Sequence, residues 1–328
     1  MYAVVLVGGF GTRLRPLTND VPKPMLPVAN RPMIVRLAER LAAGGVTDVV
    51  LALGFRPDAF SAAFPGDQFD IDGRTVRLHY AVEPEPLDTA GAIAFAARSV
   101  GVDDTFVVAN GDVVCDVDVA ALIAEHRRTG AEATLHLTPV DDPSQFGVVE
   151  VANDGRVRRF VEKPAPGDTD SRTINAGTYV FEARVLDRIA VDQRVSVERE
   201  TFPAMVADST LYAMATNDRW IDAGRPEPYL QANLDLIHTD DAHGDAVVAS
   251  SADVATSVIG DGCVVGDNAR VKNSVLLPGA SVGAGASVMS SIVWGAVPDG
   301  AVVDGCVVGA GHTVPGGHHE RRRFPEPD

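Results

Sequence analysis

From residue 253 to residue 314 the chain repeats every six residues. Ile259, Val265, Val271 and Leu277 open successive hexads. The fifth place is small or β-branched each time: Cys263, Ala269, Val275, Ser281, Ser287 and Val293. Gly283 and Met289 break the rule at the opening place. A period of six matches neither an amphipathic helix nor alternating strands. It fits a parallel β-helix, in which each coil buries the inward aliphatic side chains of the next. Hairpins rich in Gly, Ala and Val are the alternative, and they have no reason to hold register over several hexads.

Upstream the pattern is different. From Tyr2 to about Ile237, short apolar runs alternate with helical patterns, the mark of an α/β domain with a largely parallel sheet. Strands are expected at 3–7, 49–53, 77–81, 105–109, 133–138, 147–151, 157–161 and 178–181. Helices are expected at 32–44, 90–98 (capped by Thr89), 119–129, around Pro203 within 198–206, and at 229–238. The domain then covers 1–238. A polar linker follows at 239–252, the β-helix at 253–314 and a mobile tail at 315–328.

Two strand ends carry chemistry. The first strand runs into Gly8-Gly9-Phe10-Gly11-Thr12-Arg13, followed by Pro22-Lys23-Pro24. Three glycines in four places let backbone N–H groups approach an anion. Arg13 and Lys23 add full positive charges, and Pro24 holds Lys23 in extended backbone. The stretch is neither a P-loop nor the usual dinucleotide fingerprint. The second strand end is Asn110-Gly111-Asp112, at the sheet's carboxyl edge, where α/β proteins gather ligands. Asp222, in Trp220-Ile-Asp-Ala-Gly224, is a candidate partner, because Mg²⁺ commonly takes one or two carboxylates plus substrate phosphates.

The run from Gly8 to Thr18 with Pro22-Lys23-Pro24 resembles the signature of sugar-1-phosphate nucleotidylyltransferases. Phe10 is closest to the mannose-1-phosphate guanylyltransferase branch. The resemblance implies a Rossmann-like, mixed, largely parallel nucleotidyltransferase domain followed by a short left-handed β-helix of roughly three coils. It implies catalytic roles for Arg13 and Lys23, and metal ligation, usually of Mg²⁺, by Asp112 and Asp222. The nucleotide would meet Leu6, Gly8, Gly9, Gly11, Thr12, Glu83 and Asp88. Phe-Val-Glu162-Lys163-Pro matches the sugar-phosphate segment, and Gly147, Asn175 and Gly177 match further sugar contacts. Asp88 stands where the pattern has glycine. Its carboxylate could accept from the N1–H and amino group of guanine.

The substrates so implied are GTP and mannose 1-phosphate, giving GDP-mannose and pyrophosphate. Glucose 1-phosphate with another NTP, or a non-catalytic nucleotide-sugar-sensing subunit, are the alternatives. Retention of Arg13, Lys23, Asp112, Asp222 and Lys163 favours an enzyme, and family β-helices imply a homo-oligomer. The formal net charge of −17 argues against nucleic-acid and anionic-membrane partners. Cys115, Cys263 and Cys306 are odd in number and widely spaced, which fits a reducing cytoplasm rather than a disulfide framework. No apolar run reaches membrane-spanning length. His79, His126, His136 and His238 are isolated. His312 alone keeps an acyl-transfer reading open, by analogy of fold only.

Overall fold

The computed structural model describes residues 1–9, 11–54, 57–71, 73–239 and 242–326. Phe10, which carries part of the resemblance, lies outside them. So do Asp240 and Asp241 of the expected linker and Pro327 and Asp328 of the expected tail. The chain divides into two compact units, Met1–Gly9 with Val35–Trp220, and Phe10–Ile34 with Ile221–Asp328. The division does not follow the linear boundary at 238. The first glycine turn straddles it.

The first unit is built on one sheet of ten strands. They are β1 (Tyr2–Leu6), β2 (Asp48–Leu53), β3 (Gln68–Ile71), β4 (Arg74–Val82), β5 (Phe106–Asn110), β6 (Ala133–Pro139), β7 (Gly147–Val151), β8 (Val157–Glu162), β9 (Thr173–Phe181) and β10 (Leu211–Ala215). The order is β8-β7-β9-β5-β1-β2-β4-β3, with β6 paired to β9 and β10. β1 runs parallel to both neighbours, with Val4 opposite Val50 and Val108. Strands so placed are covered on both faces and therefore read as unbroken apolar runs. Val49, Val50, Leu51, Ala52 and Leu53 are all buried, as are Phe106, Val107, Val108 and Ala109. β9 is antiparallel to β5, which turns the sheet from parallel to mixed.

The helices are α1 (Met33–Ala43), α2 (Pro57–Ala63), α3 (Asp88–Ser99), α4 (Val119–Thr129), α5 (Phe202–Ala207) and α6 (Pro226–Leu234). Most expected elements appear within a few residues of their expected ends. α2, β3 and β10 had no clear periodic signal. Thr89 does not cap α3, which starts one residue earlier. Tyr179, Phe181 and Phe202 interlock in the core, with Tyr179 and Phe202 edge to face at 5.3 Å.

The second unit holds the β-helix. Its strands form three parallel ladders. They begin at Val247–Val248, Asp253–Ala255 and Val258–Ile259 and end at His318–Glu320 and Arg323–Phe324. The described residues make four full coils and part of a fifth, rather than roughly three. Val258 pairs with Val275, and Val275 with Ile292, so early coils take 17 residues, not 18. The inward positions are Ile259, Val265, Val271, Leu276, Val282, Val288 and Val293. Two sides take six residues and the third takes five. Gly283 and Met289 break a strict hexad because the register slips by one at Leu276.

The expected mobile tail is instead the fifth coil. His318–Glu320 pairs with Val302–Asp304, and Arg323–Phe324 with Val307–Val308. Its polar sequence reads as a solvated tail, but an end coil needs a polar outer face. Val247–Val248, inside the expected linker, already pairs with Val264–Val265.

α6 belongs to this unit and holds the segment before α1. The buried Tyr229 hydroxyl donates to the Pro27 carbonyl, and Ala29 N–H donates to Asn233 Oδ1 at 2.9 Å. Asn30 Nδ2 donates to the Ile259 carbonyl at 2.8 Å.

Candidate active site

In the second unit the residues after the glycine turn form a 3₁₀ turn, Thr12–Leu14, entered through Gly11 at φ 61°. That left-handed backbone is where glycine is free of strain. Thr18 Oγ1 donates to the Gly11 carbonyl at 2.8 Å and closes the loop. Lys23 opens a second 3₁₀ turn, Lys23–Met25, and is only 5% exposed. A buried ammonium needs a counter-charge. Asp222 Oδ1 lies 3.5 Å from Lys23 Nζ.

Gly224 shows how tightly these groups gather. A Cβ there would lie 2.8 Å from Asp222 Oδ1, 3.0 Å from Arg13 Nη2 and 3.1 Å from Lys23 Nζ. Arg13, Lys23 and Asp222 thus converge on one backbone position, where a side chain would push their charged ends apart. Two cations and a carboxylate around a bare Cα make a cradle for a phosphate.

The first unit carries the other candidates. β1 and β5 end side by side, and Gly111 N–H donates to the Leu6 carbonyl at 2.9 Å. Gly8 faces Gly54, where an added Cβ would lie 3.3 Å from the Gly54 nitrogen. Nothing lies within 4 Å of a Cβ at Gly9. Gly8 and Gly9 thus expose bare backbone after β1, and half-buried Asp112 follows Gly111 directly.

Glu83 and Asp88 shape their own loop. Glu83 Oε2 accepts from Leu87 N–H at 2.9 Å, and Asp88 Oδ1 accepts from Thr89 N–H at 2.8 Å. Asp88 has φ 60°, left-handed backbone of the kind that glycine adopts without strain. Asp is among the few residues that tolerate it.

Around β7, β8 and β9 lies a third group. A Cβ on Gly147 would meet the Phe160 ring at 2.6 Å and Glu162 Oε2 at 2.9 Å. Glu162 is raised above the usual carboxylate range, first by burial and then by the Glu198 charge, against the pull of Lys163. Lys163 sits in left-handed backbone, φ 49°, and points its ammonium outward, 3.6 Å from Glu162 Oε1. Strained backbone of this kind costs about 1–3 kcal/mol and gathers at functional sites. Asn175 donates to Tyr179 Oη at 2.9 Å and accepts from Gly177 N–H at 3.1 Å. Gly177 has φ 80°, and an added Cβ would strike Asn110 Nδ2 at 2.6 Å.

A scan against family models matches residues 2–239 to the nucleotidyl transferase family. The chain belongs to that family. Residues 238–319 match the GlmU-like C-terminal hexapeptide. The chain is 44% identical over 236 residues to the mannose-1-phosphate guanyltransferase of Gibberella zeae, covering 70% of this chain and 62% of that protein. It is 44% identical over 237 residues to the mannose-1-phosphate guanylyltransferase of Mycobacterium tuberculosis, covering 72% and 64%. The chain thus spans less than two thirds of the length of both relatives. Among solved structures, HddC from Yersinia pseudotuberculosis superposes with a TM-score of 0.60 at 29% identity. The match covers 72% of this chain and 99% of that one. A further crystal structure of HddC is complexed with GMP-PN.

Nucleotidyl transferases work with a divalent ion. The donor chemistry here suits a hard cation: Asp112 and Asp222 offer carboxylate oxygens. Among the described residues no group of three or more His, Cys, Asp or Glu could hold a metal by itself. Mg²⁺, which keeps water and takes substrate phosphates, does not need such a cage. No helix among the described residues is long and apolar enough to cross a membrane.

Sequence reasoning missed Glu198 and read Gly224 only as the end of a motif. Glu198 Oε2 accepts from Thr89 Oγ1 at 2.7 Å and from Ser196 Oγ at 2.9 Å, beside Glu162. It lies in a π-helical turn, Val197–Thr201, a form common at functional sites. Only the two acidic residues after Ser196 hinted at it. Trp220 was read only as part of a motif. Its Nε1 donates to the Ala176 carbonyl at 2.8 Å and its ring meets Phe146 edge to face at 5.3 Å.

Proposed function

We propose that this chain transfers a guanylyl group from GTP to mannose 1-phosphate, releasing pyrophosphate and GDP-mannose. The observation that carries the reaction class is the convergence of Arg13, Lys23 and Asp222 on Gly224. The guanyltransferase relatives support the base and the sugar.

A phosphate oxygen of mannose 1-phosphate attacks the α-phosphorus. The bond from that phosphorus to the pyrophosphate oxygen breaks, and no covalent enzyme intermediate forms. Arg13 and Lys23 neutralise charge on the triphosphate, most of all as it spreads toward the departing pyrophosphate. Leu6, Gly8, Gly9, Gly11 and Thr12 cradle the nucleotide through backbone, while Glu83 and Asp88 face the base. Lys163 pairs with the sugar's phosphate, and Glu162, Asn175, Gly147 and Gly177 orient the pyranose. Asp112 and Asp222 are the carboxylates that would hold a Mg²⁺ ion, which would supply further neutralisation of phosphate charge when bound.

Pyrophosphate release is measured for four NTPs crossed with mannose, glucose, galactose and N-acetylglucosamine 1-phosphates. GTP with mannose 1-phosphate turns over fastest, chelation by EDTA abolishes the signal, and Mg²⁺ restores it. Lys23→Ala lowers kcat about 10²–10³-fold, the usual cost of one charge-stabilising group. Asp222→Asn and Asp112→Asn raise the Mg²⁺ concentration needed. No turnover for any pair by folded protein would sink the proposal. Turnover of glucose 1-phosphate alone would correct the sugar. In Asp88→Gly, an unchanged preference for GTP over ATP and UTP would remove Asp88 from base recognition.

A further inference from the structure

The second unit contains a contact that the chemistry above does not use. Arg323, in the last strand of the fifth coil, donates from Nη1 to the carbonyls of Arg13, at 3.2 Å, and Arg15, at 2.9 Å. Those carbonyls belong to the loop that carries Arg13. The fourth coil touches the same loop. An added Cβ on Gly309 would lie 2.9 Å from Pro16 Cβ and 3.1 Å from its Cγ. Gly309 N–H in turn donates to the Phe324 carbonyl at 2.8 Å, beside Arg323. Within the loop, Leu14 N–H donates to Gly11, Arg15 N–H to Thr12 and Leu17 N–H to Leu14. Leu14 and Leu17 are buried. The loop is therefore held inside by its own turns and outside by one guanidinium and one bare glycine of the β-helix.

We infer that Arg323 is a positioning residue for nucleotidyl transfer: it clamps the Arg13 loop from the last coil of the β-helix, so that the Arg13 guanidinium meets the triphosphate in one fixed place. A guanidinium suits the task, because Nη1 carries two N–H donors, one for each carbonyl, while its charge faces their partial negative ends. Placement matters in a reaction that depends on alignment, where a shift of about 1 Å can cost about a hundredfold in rate. The inference rests on the proposed function for its kinetic part, and on loop geometry alone for its structural part.

The test compares full-length wild type, Arg323→Ala, Arg323→Lys and Gly309→Ala. Hydrogen exchange is read at the amides of Leu14, Arg15 and Leu17, and pyrophosphate release gives kcat and both KM values. In Arg323→Ala, the three amides exchange faster and kcat/KM for GTP falls about ten- to a hundredfold. KM for GTP rises, while KM for mannose 1-phosphate stays at its wild-type value. Loss of folded protein would move neither KM. Arg323→Lys recovers part of both readouts, and Gly309→Ala loosens the same amides by pushing on Pro16. Unchanged exchange in Arg323→Ala overturns the clamp. Faster exchange with unchanged kinetics overturns the positioning role. Silence of the wild type counts against the proposed function, and exchange then decides the clamp by itself.

Discussion

Single residues here hold unusual states for stated reasons. Asp88 occupies backbone at φ 60° that a β-branched side chain resists. Asp88→Gly is therefore expected to leave stability within about 0.5 kcal/mol, whereas Asp88→Val costs about 1–2 kcal/mol. Urea titration of the three proteins checks both. His136 is fully buried on β6, with Nε2 2.8 Å from Thr216 Oγ1 and no partner for Nδ1 among the described residues. Burial pushes its imidazole down to about 4 from the ordinary 6.5, against a small opposing pull from Asp218. A histidine lowered this way favours folding as the neutral form. The contribution is present above pH 6.5 and is lost as pH falls toward 4, where the unfolded chain takes the proton first. The loss is on the order of 3 kcal/mol. Denaturant titrations at several pH values should show a flatter decline for His136→Gln than for wild type over that window. Equal slopes would refute the assignment.

At the scale of elements, the β-helix is tied by a ladder of buried hydroxyls as well as by aliphatic packing. Ser257, Ser274 and Ser291 lie one coil apart. Ser274 N–H donates to Ser257 Oγ at 3.1 Å, Ser291 N–H to Ser274 Oγ at 3.1 Å, and Cys306 N–H to Ser291 Oγ at 3.0 Å. Each hydroxyl also donates to a carbonyl two residues back, as Ser274 does to Lys272 at 2.7 Å. Every rung thus satisfies a donor that water cannot reach. Ser274→Ala leaves the Ser291 N–H unpaired and is expected to cost about 1–3 kcal/mol. Thermal melting measures it, and Ser274→Thr, which keeps the oxygen, should lose less.

For the molecule as a whole, an early segment, Phe10–Ile34, and the C-terminal part of the chain share the second unit. Asn30 meets Ile259, Tyr229 meets Pro27, and Arg323 meets Arg13 and Arg15. Phe324 packs against the coil core. Residues 318–324 are thus structural. A chain ending at Val314 loses the His318–Glu320 and Arg323–Phe324 pairings and uncovers Val303 and Val308. Its melting temperature is expected to fall by at least about 4 °C. A truncated protein that melts with wild type would restore the mobile tail.

The local signals were strong where chemistry depends on neighbours in sequence. The glycine turn, Asn110-Gly-Asp112 and the six-residue period could all be read from the chain, because backbone permissiveness and side-chain period are local properties. The extended backbone expected for Lys23 before Pro24 did not form, since Lys23 opens a 3₁₀ turn. The sheet order, the slip to a five-residue side at Leu276 and the role of the polar C-terminus could not be read this way. Each depends on which strand finally lies beside which, so that His318–Glu320 is strand only because Val302–Asp304 is there to pair with it. The site shows the same division. The residue types of Arg13, Lys23 and Asp222 were legible. That all three surround the Cα of Gly224, and that Glu198 stands beside Glu162, was decided by tertiary structure alone, because burial and proximity are set by the packed chain and not by spacing along it.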